Sequence, residues 1–183
     1  LIDTPVTSPY LKIEMYPEDT SEPVTLRIHA NVRVLGIVSN SRKPIALALD
    51  CVDNIALETI YIGHIDCYGA DNDGAGSGNF VIDNLDGLAG CVNLREVYIN
   101  SAEITDISGL AGCEMLEVVE LKNNRIKDIS SLANKKHLSQ LKLKKNQIEN
   151  FEELYSCIRL NSLDVNLSGD KLSVIKQLPL YGK

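Results

Sequence analysis

The chain has 183 residues, 44% of them hydrophobic, and a net charge of −7, which fits one packed domain or one elongated array and excludes a globally disordered chain. No apolar run approaches the ~20 residues of a membrane span. Residues 1–90 hold 13 Asp+Glu against 5 Lys+Arg and residues 91–183 hold 12 against 13, and an acidic first half argues against general nucleic-acid binding.

Leu1 follows no Met, and the opening LIDTPVTSPY is not a charged-then-apolar leader, so a processed or trimmed chain is expected. Residues 1–50 then carry four apolar-alternating or β-rich runs, YLKIEMY, VTLRIHA, VRVLGIV and PIALALD. Turn-like PEDTSEP and SNSRK separate some of them, which predicts a small β-rich cap over the open end of whatever follows.

From residue 51 onward a repeat governs the sequence. Leu94, Leu116, Leu138 and Leu160 are 22 residues apart, and the first three open the pattern L-x-x-[LV]-x-[LI]-x-x-[NA]-x-I. The L-x-x-V-x-I part alternates as a short strand does. Between strands, Ile82, Leu85, Leu88 and Cys91 align with Ile104, Ile107, Leu110 and Cys113, with Ile126, Ile129 and Leu132, and with Ile148, Phe151, Leu154 and Cys157. Apolar residues at intervals of three suit a short 3₁₀ or helical turn on the convex side. Lys135 interrupts the cysteine column. An earlier repeat starts at Leu57, with Ile60 and Ile62 as its strand, but Leu57 to Leu94 is 37 residues, 15 too many. The excess holds DCYGADNDGAGSGNF, whose composition predicts a loop at about 64–81 on the rim of the sheet. Beyond Leu160 the pattern decays: Leu172, Ile175 and Leu178 fall two residues late and Pro179 stops it, as a terminal cap does.

The segment ITDISGLAGCEMLEVVELKNNRIKDISSLANKKHLSQLKLKKNQI resembles the 22-residue class of leucine-rich repeats found in internalins and in intracellular phosphatase regulators. The resemblance covers residues 82–165 well, 55–81 less well and the first fifty not at all. It implies an α/β solenoid: a right-handed arc with a concave parallel sheet and short convex turns, of about five turns here. It also implies protein recognition. The expected division is a cap at 1–50, repeats at 51–170 and a second cap at 171–183. A β-rich unit before such repeats is similar to bacterial surface proteins of the internalin type. The family's buried Asn rung is met by Asn124 and Asn146, whereas Ile65, Ala102 and Ser168 depart from it, so a short ladder is expected.

Strand alternation sends the residues between the Leu, Val and Ile positions outward. One outward column reads Tyr61, Tyr98, Glu120, Lys142, Asp164; a second reads Gly63, Asn100, Lys122, Lys144, Asn166; a third reads His64, Ser101, Asn123, Lys145. The candidate partner-binding residues are therefore Tyr61, Tyr98, Asn100, Glu120, Lys122, Lys142, Lys144, Lys145 and Asp164. Tyrosines are favoured interface anchors, and the lysines form a basic patch suited to acidic groups of a protein partner.

No catalytic constellation is present. His29, His64 and His137 are dispersed, and no H-E-x-x-H, G-x-S-x-G or P-loop occurs. Asp71, Asn72, Asp73 and Gly74 are reminiscent of a calcium loop, but that register puts Gly69 first and Phe80 twelfth, where carboxylates are needed. Five cysteines show neither C-x-x-C nor metal spacing. The expectation is a non-catalytic protein-binding module with no cofactor or metal, no nucleic-acid partner and no transmembrane segment. A monomer is favoured, with a cell-surface or secreted location. The alternatives are a cytoplasmic scaffold similar to the phosphatase regulators and a spacer within a larger surface protein.

Overall fold

The computed structural model describes residues 2–4, 8–15, 22–39, 41, 43–51, 53–64, 80–166 and 178. Among them are strands β1 (Ile2–Thr4), β2 (Tyr10–Met15), β3 (Val24–Ile28), β4 (Val34–Ser39), β5 (Ile45–Asp50), β6 (Thr59–His64), β7 (Phe80–Val81), β8 (Glu96–Ile99), β9 (Val118–Glu120), β10 (Gln140–Lys142) and β11 (Ser162–Asp164). They form two sheets. One has seven strands in the order β2-β4-β6-β8-β9-β10-β11; the other has four, β1-β3-β5-β7. Every pair is parallel, because each strand is reached only after the chain has crossed the opposite wall and returned.

The inward columns carry the core. Val97, Val119, Leu141 and Leu163 are mutual register partners at steps of 22. Leu94, Leu116, Leu138 and Leu160 are all buried beside them. The same column runs backward through Ile60 and Leu35 to Leu11 at steps of 37, 25 and 24. The first fifty residues are β-rich as expected, and their strands are themselves coils of the solenoid. β2 and β4 extend the seven-stranded face, while β1, β3 and β5 build the opposite wall. Their coils are two or three residues longer than 22 and lack the Leu pattern, which is why the sequence period does not reveal them.

That extra length has a structural correlate. The long coils cross the second wall as strands. The 22-residue coils cross it as 3₁₀ turns at Ser108–Leu110, Ser130–Leu132 and Glu152–Ser156, and the 37-residue coil carries both β7 and a 3₁₀ turn at Asp86–Leu88. Each turn is opened by a carboxylate or amide oxygen that accepts a backbone N–H two residues on: Asn84 from Asp86 at 3.1 Å, Asp106 from Ser108 at 2.7 Å, Asp128 from Ser130 at 2.8 Å and Asn150 from Glu152 at 2.9 Å. The column 84-106-128-150 keeps the 22-residue phase, and the apolar pattern alone misses it. Neighbouring turns also nest closely. A Cβ at Gly109 would lie 2.0 Å from the Leu85 carbonyl oxygen, and one at Gly87 1.9 Å from that of Leu49. The next position in this column is Ser131, whose hydroxyl oxygen is buried without a hydrogen-bond partner.

The cysteine column is a column of donors. Cys51, Cys91, Cys113 and Cys157 are free and buried. The Cys113 thiol donates to the Leu88 carbonyl at 3.5 Å and that of Cys157 to Leu132 at 3.2 Å, each 25 residues back; the Cys91 thiol reaches the Cys51 carbonyl at 3.3 Å. Lys135 occupies the column rather than leaving it. It is 3% exposed, and its ammonium donates to the carbonyls of Leu110 at 2.9 Å, again 25 back, and of Ala111 at 2.7 Å. The long side chain snorkels across the slot to find the same acceptors that the thiols use.

The two Asn rungs form as expected. Asn124 Oδ1 accepts from the N–H groups of Ala102 and Ile104, while its amide donates to the Ile99 and Leu121 carbonyls. Asn146 does the same for Ile126, Leu121 and Leu143. A third buried amide, Asn54, joins the long coils by donating to the His29 and Val32 carbonyls, both at 3.0 Å. The expected insertion, with Cys67 and segment 71–74, falls outside the described residues but for its ends: His64 closes β6 in one sheet and Phe80 opens β7 in the other. Leu172, Ile175 and Pro179 also lie outside them, and Leu178 is buried.

Candidate interaction face

The outward column of the seven-stranded sheet reads Lys12, Gly36, Tyr61, Tyr98, Glu120, Lys142, Asp164 by register. Its last five members are those expected from sequence. Tyr61 and Tyr98 are direct partners, with ring centroids 6.5 Å apart and planes tilted by 45°, within the range of favourable aromatic pairs. The Tyr98 hydroxyl donates to Glu96 at 3.2 Å. Burial, then the Glu96 charge and this hydrogen bond, push the phenol up to about 12. Gly36 leaves a gap in the column between Lys12 and Tyr61. The gap opens into a groove of about 400 Å³ floored by Val34 and Gly36 and walled by Tyr10, Lys12, Tyr61 and Tyr98. Tyr10 and Gly36 were not among the candidates, because their coils do not share the 22-residue period. The signal that could have found them is the alternation of YLKIEMY and VRVLGIV at spacings of 24 and 25 from Leu11 to Leu35 to Ile60.

Charge organises the other half of the face around one residue. Glu120 lies 3.2 Å from the Lys122 ammonium and 3.1 Å from that of Lys142, and accepts from the Asn100 amide at 2.9 Å. Burial alone would raise its carboxyl, but the hydrogen bonds from Asn100, Lys142 and Lys122 outweigh that and hold it below its ordinary value. Lys122 is only 8% exposed. Two of the four expected patch lysines therefore serve Glu120, which leaves Lys144 and Lys145 as the exposed basic pair. No ion pair joins Lys142 to Asp164, so within this column the pairing runs only from Glu120 to Lys142. The third outward column also departs from expectation. Ser101, Asn123 and Lys145 take the left-handed conformation, with φ of 56°, 55° and 61°, which turns the chain out of each strand. Ser101 is buried as a result and accepts a hydrogen bond from the Asn123 amide at 2.8 Å.

Stacked parallel coils on a fixed 22-residue step, one wall of strands and one of short turns, match solved structures. An internalin from Listeria monocytogenes superposes with a TM-score of 0.58 at 18% identity, over 81% of this chain and 46% of its own length. This fold is the leucine-rich-repeat solenoid. Two further structures are similar. Internalin C2 of Listeria monocytogenes gives a TM-score of 0.49 at 21% identity over 75% of this chain and 72% of its own. A leucine-rich-repeat protein of Leptospira interrogans gives 0.45 at 15% over 81% and 42%. The chain spans less than half the length of the first internalin. No protein-family profile matches the sequence, and a search of curated proteins finds no match. Within the described residues of the solenoid no group of three or more His, Cys, Asp or Glu could hold a metal ion, and no helix is long and apolar enough to cross a membrane.

Proposed function

We propose that this solenoid is a non-catalytic protein-recognition module whose binding surface is the seven-stranded face. The carrying observation is the groove at Gly36, where Tyr10, Tyr61 and Tyr98 gather on an otherwise charged sheet. Tyrosine supplies a large contact area at low entropic cost and is enriched where partners are anchored. Lys144 and Lys145 stand at the far end of the same face, so the reading is a partner with an apolar or aromatic contact toward the groove and acidic groups toward the lysines. Asn100, Glu120, Lys122, Lys142 and Asp164 border both parts, the first four as a hydrogen-bonded frame. A cell-surface or secreted setting follows by analogy with the internalins, and is proposed on that ground alone.

The test is affinity capture from the native host. Wild-type protein is compared with a Tyr61→Ala/Tyr98→Ala variant and a Lys144→Glu/Lys145→Glu variant. Both variants are expected to lose the captured partner while keeping the wild-type melting profile. Equal capture by all three proteins sinks the assignment.

A second reading, an intracellular scaffold, draws on one observation: Cys51, Cys91, Cys113 and Cys157 are all unbridged, as suits a reducing compartment. Fractionating cells that make the protein separates the two, since surface exposure to protease supports the first and protection inside intact cells supports the second.

A further inference from the structure

Each repeat coil enters its strand through a tight turn, and one exposed residue stands at the same place in five successive turns. It is Ile55, Val92, Glu114, Lys136 or Ile158, always two residues before the buried Leu57, Leu94, Leu116, Leu138 or Leu160. The backbone repeats with it. The N–H groups of Ile55, Val92, Glu114 and Ile158 each donate to the carbonyl two residues back, at 3.2, 2.9, 3.0 and 3.1 Å. Lys136 shares the turn through Leu138, whose N–H donates to the Lys135 carbonyl as that of Leu94 does to Cys91 and that of Leu160 to Cys157. The turn itself does not call for an apolar side chain, since Glu114 and Lys136 occupy it exposed. Yet Ile55, Val92 and Ile158 occupy it 60%, 46% and 70% exposed. Along the stack this edge reads apolar, apolar, acidic, basic, apolar. We propose that it docks against the same edge of a second copy of the chain, antiparallel, about a two-fold axis passing between the coils of Glu114 and Lys136.

The register follows from the order of the column. A two-fold axis in the contact plane and perpendicular to the column reverses the order of the coils and keeps the column facing itself. Passing between the third and fourth turns, it sets Glu114 against Lys136 and Val92 against Ile158, each twice by symmetry. Ile55 lies beside Val92 on the neighbouring coil, tied to it where the Asn93 amide donates to the Ile55 carbonyl at 2.8 Å, and widens the apolar seat for Ile158. Moving the axis by half a coil sets Glu114 against Glu114 or Lys136 against Lys136, which is repulsive. Moving it by a whole coil sets Glu114 against Val92 or Lys136 against Ile158 and desolvates a charge without a partner. An axis along the column fails as well, because it sets both charges against themselves. The next column, Asn93, Met115, His137 and Arg159, accepts the same register: Arg159 meets Asn93 and Met115 meets His137, with no like charges opposed.

The order also selects the occupant. A partner for this edge must present an apolar group, a cation, an anion and an apolar group at the spacing of the coils, about 4.8 Å. The edge itself, reversed, carries that series at that spacing, and an isologous contact of this kind closes as a dimer. Four coils make a contact shorter than the ~800 Å² per partner of a standard complex, so the dimer is a weak one, with a dissociation constant on the order of 100 μM.

The experiment is sedimentation equilibrium of the 183-residue chain from about 10 μM to about 500 μM, bracketing that constant, with circular dichroism melts to verify folding. Wild type is expected to show a monomer–dimer equilibrium. Glu114→Lys and Lys136→Glu each create two like-charge pairs across the axis and should each weaken association about tenfold, while the double variant Glu114→Lys/Lys136→Glu restores complementarity and the dimer. Ile158→Asp removes the apolar contact at both ends and should also weaken association about tenfold. A wild type that stays monomeric throughout overturns the proposal, as does a dimer that the single variants leave as strong as before. So does a double variant no better than the single reversals.

Discussion

Lys142 stands directly beside Glu120 on the next strand, its ammonium 3.1 Å from the carboxylate. In sequence they are one repeat apart. Glu120 also holds Lys122 and the Asn100 amide, so one carboxylate keeps three donors in place on the proposed binding face.

Removing its charge should therefore cost more than a surface ion pair does. Glu120→Gln leaves the poorly exposed Lys122 without its counter-charge, and a loss of about 2 kcal/mol is expected in urea unfolding at neutral pH. The pH dependence has a definite sign. The folded carboxyl sits below its ordinary 4.5, so its contribution is fully present above that value and is lost as pH falls through the folded value. The gap between wild type and Glu120→Gln should shrink in acid below about pH 4.5; a gap constant from pH 7 to pH 3 would contradict the arrangement.

The turn column makes a paired prediction of opposite sign. Gly109→Ala drives a methyl into the Leu85 carbonyl oxygen, 2.0 Å away, and should destabilise by about 2 kcal/mol or more, because two coils must separate. Ser131→Ala, one coil further on, deletes a buried hydroxyl that has no partner and should stabilise by about 1 kcal/mol. Thermal melts of the two variants would check both signs together.

Alkaline conditions should unfold the protein early. Burial raises the Cys91 thiol to about 12 and the Cys113 thiol to about 11, and raises Cys51 and Cys157 as well. Unfolded thiols lose their protons near 9.0, so between that pH and the folded values the native state binds more protons. Stability then falls, by up to about 1.4 kcal/mol per pH unit for each thiol. Lys135 opposes this. Burial lowers its ammonium below 10.5, so the native state binds fewer protons there and gains stability over that interval. Four thiols against one amine leave a net loss. The urea midpoint should drop steadily from pH 9 to 11, and Cys113→Ala should lower that slope.

The residues Leu94, Leu116, Leu138 and Leu160 were enough to fix the 22-residue coil, the inward columns and the Tyr98–Glu120–Lys142–Asp164 face, because a parallel ladder turns equal sequence spacing into spatial adjacency about 4.8 Å apart, and Leu57, Ile60 and Ile62 added Tyr61 across the longer coil. The sequence could not yield what depends on side chains meeting across coils. Lys122 reads as a free cation until Glu120 lies beside it, and Lys135 reads as a break until its ammonium reaches the Leu110 and Ala111 carbonyls. The 22-residue period does not extend the face to Tyr10 and Gly36 either, since coils of 24 and 25 residues fall out of phase with it and come into line once the strands pair. Periodicity is a one-dimensional property of the chain, and so the fold was legible in it; burial, ion pairing and the groove at Gly36 are properties of the packed stack, and only the tertiary structure decides them.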